Sequence, residues 1–355
     1  MRASFPTRLR KTSKKRVLPV LHRLAPGLFI LAFSISSFAA PTLTLSSAAG
    51  GIVVGGNAGS LGNVNGLGVG TVSAGVSLDA SGPTNAVFYY TPVNVRISGL
   101  TGTGKLTVDD SNNFSNTAIL AGYSCVSSCT SFANFTKLPT SAAGTTLGTG
   151  IANNSTVEVW VGATVSNKNG ANAFTGTDSI QIKFTAKDSS GGSTNTVTLT
   201  LNVNMQDALE MTLSPAAGGL SVSLGSDFAM DFQNVNGLGI NPATGLTAAS
   251  VSGGYVYVTP YTITPVFAGF SQNKAAIQVQ LMTAFIAPTM IYLEDAAAAG
   301  GPYTQITTTA ISISANAKTD TDVTRYLGLF VSNANGAGTF TGTDSSSLSY
   351  ILTAP

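Results

Sequence analysis

Val197-Thr198-Leu199-Thr200-Leu201-Asn202-Val203-Asn204-Met205 carries an apolar side chain at every second position over nine residues. A period of two belongs to a β-strand with one face in a core and the other in water. Ile180, Ile182 and Phe184 alternate in the same way with Gln181, Lys183 and Thr185, and Ile277, Val279 and Leu281 alternate with Gln278 and Gln280. Strands of a parallel α/β sheet are apolar on both faces, so alternation of this kind points away from that class. No amphipathic helical stretch of useful length accompanies it. The sequence predicts an all-β chain of antiparallel, immunoglobulin-like sandwiches.

The chain also repeats itself. TLTLSSAAGG at 42–51 returns as MTLSPAAGG at 211–219, and NVNGLG at 63–68 returns unchanged at 234–239. Thr91-Pro92 after Val87-Phe88-Tyr89-Tyr90 returns as Thr259-Pro260 after Tyr255-Val256-Tyr257-Val258. Trp160, Gly162 and Val165-Ser166-Asn167 match Tyr326, Gly328 and Val331-Ser332-Asn333, and FTGTDS at 174–179 returns at 340–345. The matches keep their order at a nearly constant offset, the mark of tandem duplication. They predict one domain at 40–206 and a second at 207–355, with a very short joint at Gln206-Asp207-Ala208.

Residues 1–39 read as a cleaved signal peptide. Eight Lys/Arg and no acid lie before residue 24, an apolar run extends from Leu24 to about Ile35, and Ser37 and Ala39 stand at the −3 and −1 positions of a small-residue cleavage site. A spanning helix needs roughly 20 apolar residues, more than this run offers, and no second run of that length follows. Without the leader, nine Lys/Arg face fifteen Asp/Glu, a net charge of −6. Nucleic acid is therefore not an expected partner, because phosphate binding needs clustered cations. The one histidine, His22, belongs to the leader. The mature chain thus lacks the commonest general base and transition-metal ligand, which excludes Ser-His-Asp, Cys-His and His-zinc chemistry.

The remaining candidate sites have structural readings. Cys125 and Cys129, in GYSCVSSCTS, are the only cysteines and are expected to form a disulfide within one loop of an exported protein. A ring that small contributes about 2 kcal/mol at most on the loop-entropy model. The second copy has Glu294 and Asp295 in that region, so the shared fold does not need the bridge. Asp178 and Asp344 of the FTGTDS signature supply one carboxylate each, too few for calcium, and are expected to close a turn before a strand. NVNGLG lacks the lysine and spacing of a phosphate loop. Glu158 aligns with Thr324 and reads as a solvent-facing strand residue, while Asp109-Asp110 and Glu294-Asp295 read as solvated pairs in turns. Neither arrangement provides the two converging carboxylates of glycoside hydrolysis. Asn113, Asn134, Asn153 and Asn154 begin N-x-Ser/Thr sequons. No catalytic, cofactor or metal residue is expected.

Each copy has a β segment leading into Asn-Val, as in MDFQNVNG at 230–237, and closes with Gly-Thr-Asp before a terminal strand. This plan resembles the spore coat protein U domain, the subunit fold of archaic chaperone-usher pili. Phe174 and Phe340 precede the glycine where that family has a tyrosine after it, and neither copy has the family's early cysteine. The resemblance implies a secreted immunoglobulin-like subunit or tip protein.

The functional expectation is a secreted or cell-surface adhesive or structural protein without catalysis, partnered by other fibre subunits and by a glycan or host-surface ligand. The rivals are a carboxylate-dependent carbohydrate-active enzyme or carbohydrate-binding protein, and an outer-membrane barrel, whose aromatic final residue is not found in the closing Leu-Thr-Ala-Pro. One further asymmetry separates the copies. After FTGTDS the first has a strand at 179–186, a turn at 189–193 and a second strand at 196–205, whereas the second has only Leu348–Thr353. Domain 2 is then either complete, with domain 1 carrying an extra strand, or open to a strand from another chain. For the leader, amino-terminal sequencing of exported protein is expected to give Ala40 first; material beginning at Met1 overturns the signal-peptide reading.

Overall fold

The computed structural model describes residues 40–140, 143–189, 192–224, 228–335 and 340–355. The expected signal peptide lies outside them. The first half contains β1 (Thr42–Ser47), β2 (Ala58–Val64), β3 (Ser77–Asp79), β4 (Ala86–Ser98), β5 (Gly104–Asn112), β6 (Leu120–Cys125), β7 (Thr136–Lys137), β8 (Thr145–Ile151), β9 (Ser155–Ser166), β10 (Gly176–Asp188) and β11 (Thr194–Met205). The second half contains β12 (Ala208–Pro215), β13 (Val222–Leu224), β14 (Phe228–Met230), β15 (Thr247–Val251), β16 (Gly254–Ala268), β17 (Ala275–Thr283), β18 (Ile291–Ala296), β19 (Thr304–Gln305), β20 (Ile311–Ala317), β21 (Val323–Ser332) and β22 (Ser347–Thr353). Among the described residues the architecture is all-β, and none of the sheets closes into a barrel.

In the first half, the sheet β1-β4-β9-β6-β7, with β3 beside β4, packs on the sheet β2-β11-β10-β5-β8. The period-two segments explain the packing. Leu199, Leu201 and Val203 of β11 and Ile180, Ile182 and Phe184 of β10 are at most 1% exposed, so each alternate side chain enters the core. Burying an aliphatic side chain of this size stabilises by roughly 1.5–3 kcal/mol. The outward residues of β11 help hold β2, its parallel neighbour: Asn202 Nδ2 donates to Gly59 O at 3.2 Å and Asn204 Nδ2 to Asn63 Oδ1 at 2.8 Å. A β10–β11 hairpin, antiparallel from Gly176↔Met205 to Lys187↔Thr194, sets the register.

β4 is buried on both faces along Val87–Val93. Its outer face carries Phe88 and Tyr90, which form an aromatic layer with Tyr123, Phe132, Phe135 and Trp160. The loop after β6, in which Cys125 and Cys129 are bonded at 2.07 Å, borders that layer.

In the second half, β12-β16-β21-β18-β19, with β15 beside β16, repeats the first sheet strand for strand. The opposing sheet is β20-β17-β22 alone, and β13 pairs only with β14 among the described residues. Every named strand of 42–205 pairs within that stretch, and every named strand of 208–353 within its own. The largest core cluster of each half lies between its own sheets, and the chain passes from one to the other through Gln206-Asp207. A fragment of residues 40–206 is expected to unfold in one cooperative thermal transition; a fragment without a cooperative melt overturns this.

Candidate functional site

The site emerges from what the two halves share and where they stop sharing it. Three side-chain devices recur. The Tyr89 hydroxyl donates to Asn65 O at 2.8 Å and accepts from Asn65 N at 3.2 Å, and Tyr257 does the same with Asn236 at 2.6 and 3.0 Å. Asn65 Oδ1 then accepts from Leu67 N and Val69 N, as Asn236 Oδ1 does from Leu238 N and Ile240 N. These bonds account for the repeated NVNGLG, since an Asx side chain satisfies the turn's amides where no ladder reaches. The Thr91 hydroxyl accepts from Ile52 N and the Thr259 hydroxyl from Leu220 N. Asp178 accepts from Ser115 N, Asn116 N and Asn116 Nδ2 at 3.0–3.1 Å, and Asp344 accepts from Ile286 N at 2.7 Å. Burial pushes the Asp178 pKa up, but the hydrogen bonds from Asn116 and Ser115 outweigh it and hold the carboxyl below its ordinary value. The signature aspartates therefore tie the loop after β5 to the start of β10, and the loop after β17 to the approach to β22.

The halves diverge beyond that point. In the first, β11 lies between β10 and β2. In the second, β22 pairs with β17, and its other edge has no partner among the described residues. A groove of about 2000 Å³ opens there, floored by Leu293, Leu327 and Leu329 and flanked by Met211 and Leu213 of β12 and Leu348 of β22. Pockets for small ligands hold roughly 300–1,000 Å³, so this one has room for a peptide segment. Ile182, Phe184 and Ala186 of β10 are fully buried, while their counterparts Leu348, Tyr350 and Leu352 are only partly buried. Among the described residues, the first core cluster has 28 buried side chains and 10 partly buried ones, and the second has 14 and 17. The same sandwich plan therefore leaves inward side chains partly exposed along the line of one strand.

A polar chain crosses the core beside the groove. The Tyr350 hydroxyl donates to that of Tyr261 at 3.0 Å, Tyr261 reaches Asp295 Oδ1 at 3.4 Å, and the Arg325 guanidinium forks onto both Asp295 oxygens. Burial is the main cause that raises the Tyr261 and Tyr350 phenols well above their ordinary range, so both remain protonated donors. The equivalent positions of the first half are Val93, Ser124, Val159 and Phe184. The chain ties β22, the strand beside the groove, across to the opposite sheet.

Asp109-Asp110 and Glu294-Asp295 are corrections to the expectation of solvated turns. They lie in β5 and β18, where Asp109 and Asp295 are each 2% exposed. Asp109 faces Lys183 across the ladder at 2.9 Å, and Asp295 meets Arg325 on β21. Cations 74 and 30 residues away make this burial possible, and an adjacent acidic pair in the sequence gives no sign of them. Asp110 is also buried, its Oδ1 without a hydrogen-bond partner among the described residues, and burial raises its pKa. Glu158 is exposed on β9 and accepts from Trp160 Nε1 at 3.1 Å. Among the described residues no three His, Cys, Asp or Glu side chains gather as a metal site, and no helix is long and apolar enough to cross a membrane. Sequence reasoning located the place where the two copies part but not the polar chain, whose members come from four strands.

No family model matches the chain, and no curated protein matches it. Among solved structures it is similar to the CsuC-CsuE chaperone-tip adhesion subunit pre-assembly complex from archaic chaperone-usher Csu pili of Acinetobacter baumannii, at 9% identity and TM-score 0.38, covering 88% of this chain and 100% of that one. The CupB6 tip adhesin from Pseudomonas aeruginosa is similar at 8% identity and TM-score 0.35, covering 89% and 94%. A chaperone-tip adhesin complex of CFA/I fimbriae biogenesis is similar at 12% identity and TM-score 0.25, covering 79% and 80%.

Breaking a buried ion pair by neutralising one partner costs roughly 3–5 kcal/mol. Asp295→Asn is therefore expected to lower the stability of the second half by about that much, measured by denaturant unfolding, with Asp295→Asn plus Arg325→Leu recovering part of it. Equal stability of Asp295→Asn and the parent chain overturns the assignment of a buried charge pair.

Proposed function

We propose that this chain is an exported, non-catalytic surface protein in which residues 40–206 form a complete sandwich for adhesion and residues 207–355 accept a β-strand from another fibre subunit. The observation that carries the reading is the groove at the position that β11 occupies in the first half. A strand added there would take the free edge of β22 and bury the partly exposed Leu348, Tyr350 and Leu352, the main-chain and side-chain terms of strand addition. The first half, whose core is covered throughout, supplies the surface for a glycan or host-surface ligand. The Cys125–Cys129 bridge suits an oxidising, extracellular setting.

The test appends a Gly/Ser linker and a copy of residues 196–205 after Pro355. The expected result is a second thermal transition at least about 3 °C higher, the equivalent of roughly 1 kcal/mol or more in a module of this size. A control copy with serine at the positions of Leu199, Leu201 and Val203 is expected to leave the transition where it was. An unchanged melting temperature with the native copy overturns the strand-accepting role.

A further inference from the structure

The two halves of the molecule are themselves joined end to end, and the joint has a specific chemistry. Asn169, in the loop after β9, uses its side-chain amide on the end of β16 and the turn that follows it: Asn169 Nδ2 donates to Phe267 O at 2.8 Å, and Phe270 N donates to Asn169 Oδ1 at 3.1 Å. Two main-chain bonds flank this clamp, Gly170 N to Phe270 O at 2.9 Å and Gly269 N to Lys168 O at 3.3 Å. Gly269 has φ +88°, a left-handed turn that glycine adopts without strain.

The second half repeats the loop that carries the clamp. Ser166-Asn167-Lys168-Asn169-Gly170 corresponds to Ser332-Asn333-Ala334-Asn335-Gly336. The loops leave the sheet in the same way: Ser166 N donates to Ile119 O and Ser332 N to Met290 O, while Asn167 N donates to Asn85 O and Asn333 N to Gly253 O. Gly66 and Gly237 pack equally closely under them, where a Cβ would come within 2.3–2.4 Å of backbone atoms. Asn335 is thus the positional equivalent of Asn169. It is exposed, and its side chain makes no hydrogen bond among the described residues.

The surroundings of Asn335 are also more apolar than those of Asn169. Leu238, Met282 and Ile286 at this end are 65%, 61% and 76% exposed, and Leu238 and Met282 line the same groove as Asn335. Their counterparts in the first half are Leu67, which is partly buried, and the polar Ser111 and Ser115. Exposed apolar side chains gathered at one end mark a contact surface.

We propose that the end of the second half around Asn335, Leu238, Met282 and Ile286 docks the β-sandwich module of another polypeptide, with Asn335 clamping the turn that follows that module's long central strand. The proposal rests on the strand-accepting reading, because the module that supplies the strand would be the one brought to this end. The partner is a different polypeptide. In a second copy of this chain the corresponding turn follows β4 at Gly99-Leu100, and its Leu100 N–H is already bonded to Asn153 Oδ1 of its own module at 3.1 Å. The turn of the second half takes its bond from outside, as an incoming module's would.

The test uses the chain extended after Pro355 by a second copy of residues 189–355, which supplies the missing strand, the natural joint and a further module. Lys274→Arg in the added copy distinguishes its turn peptide by mass. Amide exchange is expected to show the added 267–271 turn protected like the resident one. Loss of a hydrogen bond of this kind corresponds to exchange up to about tenfold faster, so Asn335→Ala is expected to release the added turn alone and Asn169→Ala the resident turn alone. If the middle module folds cooperatively but the added turn exchanges alike with and without Asn335, the docking surface is overturned and the strand-accepting role stands. If the middle module does not fold with its supplied strand, both fail. Light scattering of the unextended chain is expected to give a monomer; a dimer abolished by Asn335→Ala overturns the assignment to a different partner.

Discussion

A β-sandwich interior requires each strand edge beside it to be paired and each inward face to be covered. Backbone N–H and C=O groups left without partners away from water cost about as much as lost hydrogen bonds, and exposed edges recruit other chains. In the first half, β11 meets both demands at once. It pairs with β10 on one side and β2 on the other, and it inserts Leu199, Leu201 and Val203 between the sheets. Among the described residues the second half has no counterpart of β11, and its groove, its partly buried Leu348, Tyr350 and Leu352, and its polar chain all lie beside β22.

The devices held in common lie away from the open position. Tyr89 and Tyr257 anchor the NVNGLG turns, Thr91 and Thr259 cap a neighbouring loop, and Asp178 and Asp344 tie the start of the last repeated strand. Each satisfies backbone groups at the ends of the sandwich, where no ladder continues. The second half can therefore keep its six-stranded sheet intact while the opposing sheet is reduced to three. The Tyr350-Tyr261-Asp295-Arg325 chain adds a second tie between those sheets. A buried charge pair is not in itself a strong source of stability, but its geometry is exacting, and here it holds the strand that borders the groove.

The ends of the two halves thus present nearly the same loops in different settings. Asn169 is engaged by the turn at Phe267–Phe270, and Asn335 is exposed. Duplication of a module duplicates its contact chemistry, and among the described residues the Asn335 side chain makes no bond of the kind that Asn169 makes.

The sequence by itself determined the fold class, the duplication and the place where the copies part, because each is a local or periodic property. Alternation at 197–205 marks a half-buried strand wherever it sits, and FTGTDS can be aligned with itself without coordinates. Tertiary structure alone decided what surrounds the difference. Asp109 and Asp295 look like solvated turn residues until Lys183 and Arg325 arrive on neighbouring strands. The polar chain joins four strands distant in sequence, and Asn169 acquires its meaning from a turn 98 to 101 residues away. Periodicity reports which face of a strand is buried; it carries no information about which side chain will stand opposite, and the chemistry of this molecule lies in those pairings.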